Sequence, residues 1–589
     1  MESILGVLRG FVSSSFESNG YDPNFGVVAV SRRPDLGQFQ CNGSLAAAKK
    51  HHVSPKTVAA EVAATLRQVP HFKDITVAEP GFINITLADD FLRDYVADML
   101  KGLDAKHLCQ KTERIVIDYG GANIAKPMHV GHLRSAIIGE SLKRIARFLG
   151  HHVVGDVHLG DWGLQMGMVI SELERRLPDL PYFATETVGP FPKNSPVQAE
   201  DLLELYPTAN ARCKSDPTAL AAARAATKSL QEEQPGHLSL WSHIRDVSIQ
   251  TLKNDYESIG IEFDLWLGES DTRNQIGPLI QRLIKDGYAE SSDGATVIFV
   301  DQPTDKREIP PLILTKSDGA SLYGTTDLAT IEQRMNQFRP SLILYVVDKR
   351  QSDHFVQLFR AARKVDVAPV DVTRLEHIAF GTMNGKNGKP FKTREGGVMQ
   401  LKDLVAQLRQ KAYEKLTQLD LSERYKEEEK REIASAVGLS ALKFGDLLNH
   451  PTRDYVFDLD RFMSFEGKTG PYILYTAVRI KSILRKTKSE SFSSGPMLPP
   501  STISERDVFL ELAKLPDQLM AAFDNRSPQI LCEYVFTLSS TFTTFYHNHN
   551  IMKEQDTSLR SSWIELLHIT EKAIELVANL LGFKIPERM

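Results

Sequence analysis

At 589 residues and 65.9 kDa the chain is too long for one hydrophobic core, so three or four domains are expected. Apolar residues make up 42% and charged residues 25%, which excludes a disordered or fibrous protein, while the formal charge of -5 neither suggests nor forbids a nucleic-acid partner. The four cysteines, Cys41, Cys109, Cys213 and Cys532, have no Cys-x-x-Cys spacing, which argues against a disulfide framework or a protein-bound zinc ion. The opening run from Met1 to Ser14 carries Glu2 and Arg9 and lacks a basic leader, and no stretch approaches the ~18 apolar residues of a membrane span. These features predict a soluble cytoplasmic protein that does not engage a membrane.

Residues 1–108 read as a small α+β domain, with helices near 3–16 and 55–68 and strands at Ile75–Val77 and Phe82–Thr86. From Arg114 the texture becomes α/β. A short apolar strand, Ile115–Ile117, runs into Gly120-Gly121, and an amphipathic helix then begins near His129–His132. Its apolar residues Leu133, Ile137, Ile138, Leu142, Ile145 and Leu149 recur at helical spacing. A second strand is predicted at His152–Val157. Strand, tight loop and helix in this order open a doubly wound, Rossmann-like nucleotide fold, with the ligand at the strand's carboxyl end. We place this α/β domain at 109–404, with a helical insertion at about 172–260, and expect Ala295–Val300 and Leu342–Val347 to complete its sheet. Beyond it, 405–589 reads as an all-α bundle with helices at 424–449, 468–488, 505–523, 528–549 and 558–582.

Four constellations carry chemistry. In Asn123-Ile-Ala-Lys126-Pro-Met-His129-Val-Gly131-His132, two histidines and a glycine stand where a loop becomes a helix. Free amides at a helix start attract phosphate, glycine admits a nucleotide to the backbone, and Lys126 adds positive charge. A metal-binding pair and ordinary helix-start residues are the competing readings. In Gly385-Lys-Asn-Gly-Lys389-Pro-Phe-Lys392-Thr-Arg-Glu-Gly-Gly397, four glycines and four cations in thirteen residues make a flexible cationic loop suited to a triphosphate, or a solvated turn. In Ser321-Leu-Tyr323-Gly-Thr-Thr-Asp327, a phenol and a carboxylate four residues apart share a helical face. Such a pair suits a guanidinium, by charge-assisted hydrogen bonds and stacking, although Asp327 also suits a helix cap. Finally, Phe465–Tyr472 leads into a helix bearing Arg479, Lys481, Arg485, Lys486 and Lys488. With Tyr534, Phe545 and Tyr546 farther on, it is a basic helical surface with aromatics of the kind that reads single-stranded RNA, unless those rings are core.

Taken together, Ala122–Lys126, His129–Ser135, Leu149–His151, Gly160-Asp161-Trp162-Gly163 and the closing Pro586-Glu587-Arg588-Met589 resemble the bacterial type of arginyl-tRNA synthetase, a class I aminoacyl-tRNA synthetase. Gly37–Gly43 and Glu79–Ile85 carry the likeness into the first domain. The resemblance implies an ATP-dependent ligase that joins L-arginine to tRNA(Arg), with Mg2+ carried by ATP and the enzyme a monomer. His129, Gly131 and His132 match the family's "HIGH" signature. The resemblance gives His129, His132, Lys126, Lys389 and Lys392 to catalysis, and His129, Gly131, His132, Gly160, Asp161 and His354 to ATP. It gives Asp118, Asn123, Glu269, Tyr323, Asp327 and Gln351 to arginine. Lys389–Thr393 departs from the family's "KMSKS" pattern, and its register against that pattern stays open. The family places its tRNA-elbow domain at the start of the chain and its anticodon-binding domain in the helical third.

Overall fold

The protein is described from a computed structural model, which covers residues 2–105, 108–109, 111–184, 189–315, 323–385, 388, 399–418 and 425–589. The first domain packs helices Ile4–Ser18, Gly43–His51, Pro55–Leu66 and Asp89–Leu100 on an antiparallel sheet. The strand order is Val28–Val30, Phe39–Cys41, Phe82–Leu87, Phe72–Ala78. Ser3 and Ser54 cap the helices that follow them, each accepting a backbone N–H.

The α/β region centres on a four-stranded parallel sheet ordered Arg374–Phe380, Leu342–Asp348, Arg114–Asp118, His152–Asp156. The chain order reverses between Leu342–Asp348 and Arg114–Asp118, and in such sheets ligands bind outside the strand ends at that point. The helix after the first strand, Val130–Phe148, lies on the sheet with Leu133, Ile137, Ile138, Leu142 and Ile145 buried. Four helices, Leu164–Arg176, Ala199–Ser215, Pro217–Gln231 and Pro235–Ser258, follow strand His152–Asp156 and span the segment expected as an insertion.

Two expectations are corrected. The Ala295–Val300 segment forms a strand at Ala295–Ile298, but it belongs to a separate antiparallel sheet with Glu290–Ser292 and Leu312–Thr315. The cause is local. Asp293 and Gly294 have φ of 50° and 81°, a two-residue hairpin turn that commits the strand to its neighbour and leaves it no parallel role. The fourth parallel strand is instead Arg374–Phe380, an edge strand whose polar Arg374, Glu376 and His377 hide its character. In the helical third, the helix expected at 505–523 is two, Ile503–Ala513 and Leu515–Asp524. Pro516 suits the first turn of the second helix and cannot donate to a continuing first one. The other helices of this third are Leu401–Thr417, Glu427–Leu447, the short Leu459–Phe462, Gly470–Ser489, Gln529–Asn548 and Thr557–Leu580.

Candidate active site

The site assembles at the carboxyl ends of the parallel strands. His129 is the N-cap of the Val130–Phe148 helix, and its Nδ1 accepts the Gly131 N–H at 3.0 Å. His132, one turn on, accepts the His129 N–H at Nδ1 (3.3 Å), and the two rings stack with centroids 4.0 Å apart. A ring nitrogen that accepts cannot carry the proton of a neutral imidazole, so in both residues Nε2 is the donor. Burial, with Lys126 nearby, lowers the His129 pKa to about 4; burial, with His129 and Lys126 nearby, lowers that of His132 to about 3. Both rings are therefore neutral N–H donors at neutral pH. Gly131 is required by the ring itself, because a Cβ there would stand 2.8 Å from His129 Nδ1 and 2.7 Å from its Cε1.

The loop before the helix is tied to the next strand's loop. Ile124 N–H donates to Gly160 O (3.2 Å) and Gly160 N–H to Ala122 O (3.1 Å), which sets Asn123 against Gly160. A Cβ on Gly160 would lie 2.1 Å from Asn123 Oδ1, so this glycine makes room for the Asn123 amide. Ala125 takes a φ of 56° and donates its N–H to Ser248 Oγ of the insertion (2.9 Å). The half-buried Lys126 points its ammonium over the Tyr206 ring of the insertion at 5.8 Å, and burial lowers its pKa.

Opposite stands a carboxylate-rich wall. Asp118 and Asp156 end adjacent strands, and the buried Arg334 of helix Tyr323–Phe338 donates through Nη2 to both at 2.7 Å. The two carboxyls share one guanidinium, and burial, with Asp156 beside it, raises the Asp118 pKa against the pull of Arg334. Beside them Glu269 accepts the Trp162 N–H at 3.3 Å, and its pKa is pushed up to about 7 by burial, with Asp161 and Asp327 adding repulsion. Asp327 meets His354 Nε2 at 2.6 Å, so these two residues form one unit. Gln351 is exposed at the mouth, just beyond the strand end at Asp348.

Asp161 is held within the fold. Its side chain is 0% exposed and fully engaged, accepting from Ser270 N (2.9 Å), Ser270 Oγ (2.7 Å) and Arg245 Nε (2.9 Å). It does not reach open space; it pins the turn that presents Glu269. Tyr323 opens its helix, but its side chain lies outside the described residues, as do Lys389 and Lys392 of the cationic loop. Sequence reading passed over Asp156, Arg334, Arg245 and Ser270. Asp118 and Asp156 stand in register at two adjacent strand ends, a pairing that shows only once the sheet is formed.

A second junction holds the histidine helix to the rest of the chain. Arg134, 1% exposed, donates through Nη1 to Gly381 O and Arg453 O (2.8 Å each). Its Nε pairs with the buried Asp446 at 3.0 Å, and its guanidinium covers the Tyr455 ring at 5.0 Å. The contact joins that helix to the Met383–Asn384 strand, which leads into the cationic loop, and to helix Glu427–Leu447.

In the bundle the basic-aromatic reading divides. Lys481 is buried and paired with Glu575 (2.8 Å) and Glu587 (2.6 Å), while Cys532, Tyr534 and Phe545 are core. Tyr475 is 42% exposed, and Arg479 lies over it at 4.4 Å and over Tyr546 at 5.7 Å, a surface platform of two rings and a guanidinium.

Residues 96–459 match the class I (R) tRNA synthetase catalytic domain, 5–87 the arginyl tRNA synthetase N terminal domain, and 473–589 the DALR anticodon binding domain. The chain is 49% identical to the arginine–tRNA ligase of Alkaliphilus oremlandii and 45% identical to that of Agathobacter rectalis, over 100% of each chain. Its fold is similar to that of arginyl-tRNA synthetase from Plasmodium falciparum, with a TM-score of 0.82 over 100% of both chains at 24% identity. With a full-length likeness at this identity and a catalytic-domain match over most of its length, the chain belongs to the arginyl-tRNA synthetase family of class I aminoacyl-tRNA synthetases.

Proposed function

We propose that the protein activates L-arginine with Mg-ATP and transfers it to the 3′-terminal adenosine of tRNA(Arg). The observation that carries the reading is a pair of neutral imidazole donors facing a crevice whose other wall is rich in carboxyl groups. One wall suits phosphate and the other a guanidinium. An oxygen of the arginine carboxylate attacks the α-phosphorus, the bond to the bridging oxygen breaks, and pyrophosphate leaves. The ribose 2′-hydroxyl of the terminal adenosine then attacks the carbonyl carbon, AMP leaves, and the hydroxyl proton passes to solvent. His129 and His132 donate through Nε2 to phosphate oxygens as charge develops there. Asn123 and Asp118 hold the amino acid end, and Glu269, Asp327 and Tyr323 the guanidinium. Gln351 and His354 close the mouth. Lys126, Lys389 and Lys392 neutralise the departing pyrophosphate, and Gly131 and Gly160 let ATP approach the backbone.

We further assign 1–108 to the tRNA elbow, 109–404 to catalysis and 405–589 to the anticodon, with the Tyr475–Arg479–Tyr546 platform stacking anticodon bases. The enzyme acts as a cytoplasmic monomer. The test is arginine-dependent exchange of pyrophosphate into ATP, with and without tRNA(Arg). Exchange confined to the tRNA-containing reaction supports the substrate and a tRNA-dependent activation. Exchange without tRNA keeps the substrate and removes that dependence. No exchange in either, with tRNA binding intact, overturns the activity.

A further inference from the structure

His158 lies in the loop after strand His152–Asp156, where the backbone turns into the site with a φ of 38°, in the left-handed region that few non-glycine residues occupy. The chain on its C-terminal side is tied down by backbone pairing. Leu159 pairs with Gly268, and Glu269 N–H donates to Leu159 O at 3.1 Å; Gly160 pairs with Asn123. His158 is thus held between the turn bearing Glu269 and the strand end bearing Asp118. Its ring lies close to both carboxylates. Yet its Nδ1 and Nε2 are both buried without a hydrogen-bond partner among the described residues. A buried polar atom left unpaired costs stability, and an imidazole with two such atoms inside a substrate crevice is explained if a ligand completes it.

We propose that His158 is a specificity-determining residue that accepts a hydrogen bond from the Nε–H of substrate arginine. The inference rests on arginine being the substrate. A guanidinium offers five N–H donors. Carboxylates at Glu269 and Asp327 are suited to its terminal nitrogens, and a lone pair from the side satisfies the remaining Nε–H. An imidazole nitrogen can supply that lone pair where a third carboxylate would add further charge to the wall.

The probe is indospicine, the arginine analogue in which CH2 replaces Nε–H and both terminal nitrogens are kept. Pyrophosphate exchange is measured with tRNA at pH 8 for both amino acids. The wild-type enzyme is expected to prefer arginine in kcat/KM by roughly tenfold to a hundredfold, the range for leaving one buried polar group unpaired. H158L is expected to lose that factor with arginine, to leave indospicine unchanged, and so to bring the ratio near one. H158Q, whose amide oxygen can stand in for Nε2, restores part of the preference. Should H158L not fold, H158M against H158Q makes the same comparison. Equal losses for both substrates, or an unchanged ratio, overturn the proposal while leaving the arginine assignment standing. A wild-type enzyme with no arginine-dependent exchange removes the assignment on which it rests.

Discussion

Replacing Gly131 by alanine separates the chemistry of the histidine pair from the stability of the helix that carries it. Gly131 has an ordinary negative φ, so its backbone accepts any residue. The added Cβ meets only the His129 ring, at 2.7–2.8 Å, well inside contact distance. The ring must rotate away, and the Gly131 N–H to Nδ1 bond is lost. Losing a cap of this kind costs about 0.5–2 kcal/mol, while alanine for glycine in a helix returns about 0.5–1 kcal/mol. The balance is small, and Tm is expected to move by no more than about 2 °C. The transition state loses one preorganised donor, worth about 2.7–4 kcal/mol, or a roughly 10²–10³-fold fall in the activation rate. Pyrophosphate exchange at saturating arginine, with ATP varied, reads this directly, alongside a thermal melt. A G131A enzyme within threefold of the wild-type rate refutes the donor role of His129. A loss of rate matched by a large loss of Tm refutes the claim that the glycine serves the ring rather than the fold.

Burial raises the folded pKa of Glu269 to about 7, above that of the unfolded chain. The sign is fixed: the stabilisation is fully present below the unfolded pKa, near 4.5, and is lost as pH rises through about 7, an effect of ~3 kcal/mol. E269Q should flatten that slope in denaturant melts, and calorimetry on the wild type should show arginine binding tighten from pH 6 to pH 8 as the carboxylate ionises; a flat affinity contradicts the role. D446A leaves Arg134 buried without its carboxylate and should cost about 3–5 kcal/mol of stability by urea unfolding. Y475A removes one ring of the bundle platform and should raise the KM for tRNA about fivefold to a hundredfold with the kcat for tRNA-saturated exchange unchanged. A change in kcat instead places Tyr475 elsewhere in the mechanism.

The strand, loop and helix around His129 were legible because every signal there is local: apolar periodicity, two glycines, and a short polar run at a helix start. Asn123, Glu269 and Asp327 were legible as candidates through their motifs. What surrounds them was not. Arg334 reaches Asp118 across more than two hundred residues of chain, and nothing in its own neighbourhood marks it. Asp161 stands in a motif that resembles a nucleotide contact, and its partners Ser270 and Arg245 lie about a hundred residues away in the chain, where no local pattern points to them. The misplaced strand is a different case. Asp293-Gly294 is a hairpin signal that the sequence carries openly, and apolar content outweighed it. In the bundle, Lys481 and Arg479 are two residues apart on one helix, yet one is buried against two glutamates and the other covers exposed rings.

The helix that carries His129 and His132 is gripped from behind by the far end of the chain. Ser141 donates to Leu580 O at 2.9 Å, Arg144 to Asn579 O at 3.0 Å, and Arg134 is neutralised by Asp446. Lys443 joins Gly582 O to the same junction at 2.5 Å. Division at the boundaries that sequence suggests would therefore not yield a working catalytic half. The helix would lose its supporting layer, and Arg134 would be left charged in a newly opened apolar surface. Catalytic and helical regions should melt in a single transition, and complementation by two separately expressed pieces should succeed only where the cut falls in the surface loops of the insertion.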